Sequence, residues 1–335
     1  MNHVKRIETL LSGGTLKKPA INLWKHFPPY DENPQNLIKK IIQFQERFNW
    51  DFVKITYHGL HFSQDWGTQV KWPERDCQWP DTCSKVGIIT DYPIKTAQDW
   101  TKINVLPIKQ NSIGGSLEVV KEVVNRFKGE VPVVITVFNS LLHAMKMSND
   151  KMLIHMRTNP EYLKRGLEVI TETSVSYVKE LIKFGIDGVF FATQLANYDK
   201  MSVEEYEKFG KPYDLEIINA FKNNTWFNIL HMHGNAPMFD ILEKYPVQAL
   251  NWHDRLVDIS LKEGRKKTDK LLIGGVDEYK ILNEANEEEL LEHFNNAFDQ
   301  VEDKRLILGP GCCVPLYVNE NRFDLANKVV ERMTS

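Results

Sequence analysis

The run VPVVITVF, residues 131–138, is almost continuously apolar and rich in β-branched side chains. A strand with one solvated face alternates apolar and polar residues, whereas a run of this kind is buried on both faces. Strands buried on both faces belong to parallel sheets, which helices cover on each side. The run therefore predicts an α/β protein built around a parallel sheet.

Further runs of the same apolar, β-rich character recur along the chain. They are Ala20–Trp24, Phe52–Tyr57, Gly188–Ala192, Trp226–His231, Gln248–Trp252, Leu271–Val276 and Leu306–Leu308. Segments in which apolar residues have helical spacing separate most of these runs. Alternating strands and helices of this number predict one (β/α)8 barrel domain over residues 1–335, with a doubly wound open sheet as the alternative.

The segment 58–107 interrupts the alternation and shows little helical period. It contains two of the four cysteines, Cys77 and Cys83, and a set of tryptophans, Trp66, Trp72, Trp79 and Trp100. Because the segment follows the second predicted strand, we expect an irregular insertion over or beside the barrel mouth. Its aromatic content suits either the rim of a pocket or a subunit interface such as that of a homodimer.

The composition is that of an ordinary globular protein, with 42% hydrophobic and 26% charged residues. A formal net charge of −3 leaves no basic footprint for nucleic acid, and no stretch approaches the roughly 20 apolar residues of a membrane span. No apolar segment of a secretory signal follows the first residues, and the cysteines do not form a disulfide framework. We therefore expect a cytoplasmic protein with reduced thiols and without nucleic-acid or membrane partners.

A His-x-His pair and a vicinal cysteine pair stand at the ends of two predicted strands. His231 and His233 are two positions apart, so their side chains project from the same face of the fifth strand. Cys312 and Cys313 follow the eighth strand, and only one of two adjacent thiols would face the site. His231, His233 and Cys312 would form a three-ligand zinc site with an open position, as in catalytic zinc. The alternative is a hydrogen-bonded histidine pair and a cysteine that packs as a small hydrophobic residue.

Three phrases around these residues carry a family resemblance. They are LHMHGN (residues 230–235), GGVD (residues 274–277) and LGPGC (residues 308–312). Together they resemble the C-terminal half of the uroporphyrinogen decarboxylase superfamily of barrels. In the decarboxylases themselves, an arginine-rich N-terminal segment and an aspartate at the end of strand two hold the porphyrinogen. Residues 21–27 contain no arginine and strand two ends in residues Thr56 to His58, so the resemblance favours another branch.

The chain resembles the methyltransferase branch of that superfamily more closely. In that branch a His-x-Cys pair and a later cysteine hold zinc, which binds a thiol that attacks a methyl group on a corrinoid. His231 and Cys312 match this pattern, whereas His233 stands in place of the first cysteine. The resemblance implies methyl transfer between a cobamide, free or on a corrinoid protein, and a small thiol or other acceptor. The alternatives are a decarboxylase of a tetrapyrrole or related acid, and a non-enzymatic barrel that binds a corrinoid or tetrapyrrole.

Polar residues at other predicted strand ends complete the candidate site. Asp254 and Asp277 are candidates for a general acid, for a carboxylate that orients a zinc-bound histidine, or for a substrate anchor, although each also suits a helix cap. Lys54 lies inside the apolar run of strand two, and because an unpaired buried lysine is rare, we expect it to have a carboxylate partner. The candidates for the substrate pocket are Trp24, His26, Tyr57, Thr193, Gln194, Asn235 and Trp252.

Overall fold

The computed structural model describes residues 1–72, 87–302 and 304–333, and this part of the chain contains ten strands. They are β1 (Ala20–Ile21), β2 (Val53–Ile55), β3 (Gln69–Lys71), β4 (Ile88–Asp91), β5 (Val133–Phe138), β6 (Gly188–Thr193), β7 (Ile229–Met232), β8 (Ala249–Trp252), β9 (Leu271–Val276) and β10 (Leu306–Pro310). Eight of them pair in parallel in the order β1-β10-β9-β8-β7-β6-β5-β2. Each of the eight overlaps one of the runs that the sequence predicts.

The sheet closes between its two end strands, β1 and β2, largely through side chains. The Asp51 N–H donates to the Ile21 carbonyl across this seam, at 3.2 Å. In return the Ile21 N–H donates to the Asp51 carboxylate at 2.8 Å, and the Phe52 N–H donates to the Asn22 side-chain oxygen at 3.0 Å. The predicted (β/α)8 barrel is therefore confirmed, and the doubly wound alternative is wrong.

Fourteen α-helices accompany the strands in the described part of the chain. They are α1 (His3–Leu11), α2 (Pro34–Phe48), α3 (His61–Asp65), α4 (Asn111–Phe127), α5 (Ser140–Ser148), α6 (Lys151–Thr158), α7 (Pro160–Phe184), α8 (Val203–Phe209), α9 (Lys211–Phe221), α10 (Phe239–Leu242), α11 (Leu261–Lys267), α12 (Ile281–Glu284), α13 (Glu287–Gln300) and α14 (Asn321–Arg332). Ser202 and Asn286 begin α8 and α13 with capping boxes, in which side chain and backbone satisfy each other's free groups. None of the described helices is both long enough and apolar enough to cross a membrane.

Two apolar clusters lie on the two sides of the barrel wall. The inner cluster fills the barrel with side chains such as Phe52, Phe190 and Ile273. The outer cluster joins the strands to the helices and includes Phe191 and Met232. Because successive side chains of a strand point to opposite faces, this division decides which residues at a strand end reach the mouth.

The connection after β2 has more regular structure than the sequence predicts. It contains α3, the antiparallel β3–β4 hairpin and a 3-10 helix over Ala97–Thr101. Trp66 and Trp100 are buried, and their indole N–H groups donate to the Asn104 carbonyl and to His155. Cys77, Trp79 and Cys83 lie outside the described residues. A role of this connection in a pocket rim or a homodimer interface stays a prediction.

A buried acid links helices on the outer side of the barrel. Asp214 of α9 accepts a hydrogen bond from the Tyr206 hydroxyl of α8 at 2.6 Å, and the Tyr245 hydroxyl lies 2.6 Å from that of Tyr206. Burial raises the pKa of the Asp214 carboxyl to about 7. A carboxyl whose pKa rises on folding stabilises the protein at low pH, and this stabilisation is lost as pH rises through the folded-state pKa.

We therefore expect wild type to lose about 2–4 kcal/mol more free energy of unfolding than Asp214→Asn as pH rises from about 5 to about 8. Chemical denaturation at both pH values measures the difference. Asp150→Asn is the control, because Asp150 is exposed and its side chain makes no cap hydrogen bond. Equal pH dependence in wild type and Asp214→Asn would contradict the prediction.

Candidate metal centre

Three side chains that the sequence predicts as ligands meet at the carboxyl end of the barrel. One ligand atom each from His231, His233 and Cys312 lies within 4.8 Å of the other two. Tetrahedral zinc with bonds of about 2.0–2.3 Å separates its donor atoms by about 3.3–3.8 Å. Small side-chain movements would therefore bring the three donors to one ion, and we call these residues the candidate metal centre.

The buried Asn251 of β8 determines which nitrogen of His231 is available. The Asn251 side-chain N–H groups donate to the Ile273 carbonyl at 2.9 Å and to the Pro310 carbonyl at 3.0 Å. Its side-chain oxygen must then face the Nδ1 of His231, 2.6 Å away, so Nδ1 carries the proton. The lone pair of His231 is on Nε2, which leaves that atom available to a metal.

A buried carboxylate holds the loop that carries Cys312. Glu278, which is 1% exposed, accepts hydrogen bonds from the Gly311 N–H at 3.1 Å and from the Cys312 N–H at 3.0 Å. Residue 311 has to be glycine, because a Cβ there would lie 2.8 Å from the Cα of His253. Glycine and glutamate together therefore determine where the Cys312 thiol lies.

The two adjacent thiols have different environments. A hydrogen bond with Cys313 lowers the pKa of Cys312 despite burial. The same hydrogen bond and burial raise the pKa of Cys313 to about 12, and its side chain packs against the inner cluster. Cys312 is therefore the thiol of the pair that ionises more readily, which is the form that binds metal.

The two histidines of the centre are uncharged at neutral pH. Burial lowers the pKa of His231 well below its ordinary value, and burial together with the neighbouring His253 lowers the pKa of His233 to about 4. Nε2 of His253 lies 3.3 Å from Nδ1 of His233, and Nδ1 of His253 lies 3.6 Å from Glu278. Neutral imidazoles are the ligand form of histidine, so the pair is ready for a metal.

Lys54 faces the barrel interior as predicted, but its partner is not a carboxylate. Its Nζ donates to the Thr136 hydroxyl at 3.1 Å and lies over the Phe190 ring, 4.3 Å from the centroid. Among the described residues no carboxylate forms an ion pair with it. Its positive charge helps to lower the pKa of Cys312. The lysine therefore favours a thiolate at the candidate metal centre.

The two aspartates proposed for catalysis bind backbone N–H groups. Asp254 accepts from the Gly275 N–H at 3.0 Å, and burial raises the pKa of this carboxyl to about 7. Asp277 accepts from the N–H groups of Tyr279 and Lys280, both at 3.0 Å, and so caps the turn after β9. The contact of Asp277 matches the capping alternative, whereas Asp254 bonds to β9 and caps no helix. The catalytic role of either aspartate stays a prediction.

Two of the proposed pocket residues pack into the apolar clusters. Trp24 is 2% exposed and lies in the inner cluster with its ring against Phe190. Trp252 is fully buried in the outer cluster, where its indole N–H donates to the Ile259 carbonyl at 2.6 Å. Successive side chains of a strand alternate between the two faces. Asn251 and His253 point inward, so Trp252, which lies between them, points away from the mouth.

The remaining pocket candidates occupy varied positions. The Thr193 hydroxyl is buried and donates to the His231 carbonyl at 3.2 Å. Nδ1 of His26 lies 3.5 Å from the Asp31 carboxylate, and Tyr57 packs against His58. Gln194 is half-buried and Asn235 is exposed. None of these contacts tests substrate binding.

Sequence reasoning missed several residues that contact the candidate metal centre. Asn251 and His253 flank Trp252, so strand alternation alone would have placed them inward once Trp252 was placed outward. The sequence indicated Asp277 as the candidate acid after β9, and not its neighbour Glu278. Gly275 interrupts the regular alternation there with φ of 86°, so the pattern did not show which of the two acids reaches the Cys312 loop.

Comparisons with known proteins agree with this architecture. The sequence profile described as "Uroporphyrinogen decarboxylase (URO-D)" matches residues 20–333. The chain is 24% identical over 225 residues to the methylcobamide:CoM methyltransferase MtbA of Methanosarcina acetivorans, covering 67% of this chain and 65% of that relative, less than two thirds of its length. It is 28% identical over 143 residues to a uroporphyrinogen decarboxylase of Aquifex aeolicus, covering 39% of this chain and 42% of that relative. A solved methyltransferase from Methanosarcina mazei shares the fold over 100% of both chains, with a TM-score of 0.84 and 17% identity.

We expect Asn251→Leu to weaken binding of Zn²⁺ or Co²⁺ about 10- to 100-fold, because the His231 ring loses the acceptor that orients it. Competition with a chromophoric chelator measures the affinity.

Asn228→Leu is the matched control for this variant. Asn228 is equally buried and accepts from the Val189 N–H at 3.1 Å, but it precedes β7 at the opposite end of the barrel. It should lose stability without losing metal affinity. Equal losses of affinity in both variants would show that Asn251 acts only through stability.

Proposed function

Because the chain belongs to the uroporphyrinogen decarboxylase family, we propose that it is a methyltransferase of that family which transfers a methyl group between a corrinoid and a small acceptor such as a thiol. The observation that supports this proposal is the convergence of His231, His233 and Cys312. The name of the Methanosarcina acetivorans relative pairs a methylcobamide with CoM as reactants. We place the reaction in the cytoplasm, where the two thiols stay reduced.

The chemistry of the three donors fits zinc. Two neutral imidazoles and one ionisable thiol are ligands that zinc prefers, and three protein ligands leave one position open. When bound, zinc would supply a Lewis acid that lowers the pKa of a thiol in that position. With His233 in place of a thiolate ligand the site carries one negative charge less, which favours an acceptor that arrives or becomes negatively charged.

The surrounding residues hold the donors in place for that role. Asn251 maintains the His231 tautomer, and Glu278 maintains the loop of Cys312. His253 lies between Glu278 and His233 and restrains the His233 ring. Because these partners are buried, the donors keep their orientation before any ligand arrives, which reduces the cost of ordering the site.

Decarboxylation of uroporphyrinogen is the competing activity within the family. Its substrate carries many carboxylates, and each desolvated anion without a cation costs several kcal/mol. The described first strand and its continuation provide Lys25 but no arginine, and Arg6 is already paired with Asp51. We therefore expect no decarboxylation of uroporphyrinogen in an anaerobic assay.

The vicinal cysteines provide a matched test of the proposed function. We expect purified wild type to hold about one zinc per chain, Cys312→Ser to lose it and Cys313→Ser to keep it, because only Cys312 belongs to the candidate metal centre. Elemental analysis measures the zinc, and the visible spectrum of methylcobalamin follows demethylation in the presence of a thiol.

Methyl transfer should fall with zinc content across the three proteins. Equal zinc loss in both serine variants, or uroporphyrinogen decarboxylation at about 0.1 per second or faster by the wild type, would refute the proposed function.

A further inference from the structure

His233 differs from the other two residues of the candidate metal centre in how its backbone is supported. His231 lies within β7, where pairing with β6 holds its backbone, and Glu278 holds the loop of Cys312. His233 comes directly after the last residue of β7 and therefore belongs to a loop. A proposed ligand on a loop needs contacts from other segments to keep its imidazole in place.

The loop between β6 and α8 provides such contacts. The His233 N–H donates to the Thr193 carbonyl at 3.1 Å, which extends the β6–β7 pairing by one residue. Further along, the Tyr198 N–H donates to the Ala236 carbonyl at 2.9 Å. The loops that follow these two neighbouring strands are therefore joined through their backbones, close to the candidate metal centre.

One buried side chain, that of Asn197, lies between the two loops. Asn197 is 3% exposed, and its side-chain oxygen accepts a hydrogen bond from the Asp199 N–H at 3.0 Å. Its side-chain N–H group donates to the His233 carbonyl, at 3.4 Å. The Asn197 amide is thus oriented by its own loop and bonded to the backbone of a proposed ligand.

Gly234 makes room for this amide. Its φ of 108° lies in the region that favours glycine, and a Cβ at this position would lie 1.8 Å from Nδ2 of Asn197. The amide therefore occupies the space that a side chain at position 234 would take. Because the residue after His233 and the side chain opposite it fit each other in this way, the contact is specific to this turn.

We propose that Asn197 is a positioning residue of the candidate metal centre, which holds the His233 backbone so that its imidazole can bind the same ion as His231 and Cys312. The metal half of this statement rests on the proposed function, whereas the position of the His233 ring rests on the contacts of Asn197 alone. The bond at 3.4 Å is long for a hydrogen bond. We therefore expect an effect on metal affinity of about 10-fold, at the lower end for residues that orient metal ligands.

Asn197→Ser tests the proposal with little change to the loop. The serine hydroxyl can still accept from the Asp199 N–H, but it is too short to reach the His233 carbonyl. We expect this variant to bind Co²⁺ about 10-fold more weakly than wild type in competition with a chromophoric chelator. Asn228→Ser is the matched control, because Asn228 is equally buried and also donates to a carbonyl at 3.4 Å, that of Thr225, at the opposite end of the barrel. The control should bind Co²⁺ within about twofold of wild type.

A double-mutant cycle separates the positioning of His233 from a general effect on the fold. In a protein that carries His233→Ala, Asn197→Ser should change the affinity for Co²⁺ by less than about twofold, because the imidazole that Asn197 positions is absent. An equal loss of affinity in both backgrounds would overturn the inference. Unchanged affinity in the single variant Asn197→Ser would also overturn it.

Nitrogen chemical shifts of the histidine rings, measured by NMR on the metal-free protein, separate this inference from the proposed function. Asn197→Ser should change the shifts of His233 and leave those of His231 unchanged, because the His231 ring is held by Asn251. This result together with no binding of Co²⁺ or Zn²⁺ by the wild type would support the positioning of His233 and refute the proposed function. Unchanged His233 shifts would overturn the inference whether or not the wild type binds metal.

Discussion

The rest of the site depends on the three hydrogen bonds of the Asn251 carboxamide. His231 and Cys312 lie at the ends of β7 and β10, which are separated in the sheet by two other strands. Asn251 is bonded at once to His231, to the Ile273 carbonyl of β9 and to the Pro310 carbonyl of β10. One buried side chain therefore fixes the relative height of four strands. A change of register between them would move the thiol away from the imidazoles.

The fold could be predicted from the sequence because parallel barrel strands are buried on both faces. Burial on both faces makes each strand, such as residues 131–138, apolar along its whole length. The strands can therefore be recognised without knowing which distant segments they contact. The two histidines and Cys312 could be found for a related reason. A His-x-His pair on one strand and a cysteine after a glycine-rich strand end are local patterns, and barrel topology brings the strand ends together.

The electrostatic environment could not be predicted in the same way. Lys54 was expected to have a carboxylate partner because burial of an isolated charge is unfavourable, yet the structure gives it a hydroxyl and an aromatic ring. The choice of Glu278 over Asp277 depends on the backbone at Gly275. Each case depends on a contact between segments far apart in the chain.

The seam between β1 and β2 has hydrogen bonds of a different kind from those of the other strand pairs. Amide hydrogens within the other strand pairs are protected by regular ladders, whereas those of Ile21 and Phe52 are bonded to the side chains of Asp51 and Asn22. Solvent exchange at these amides therefore requires movement of the two side chains and, for Asp51, loss of its hydrogen bonds to Arg6. The histidines of the candidate metal centre lie on the far side of the ring from this seam, and Lys54 lies beside it. Cys312 follows β10, which pairs with β1, so local opening at the seam would move the thiol side of the candidate metal centre more readily than the histidine side.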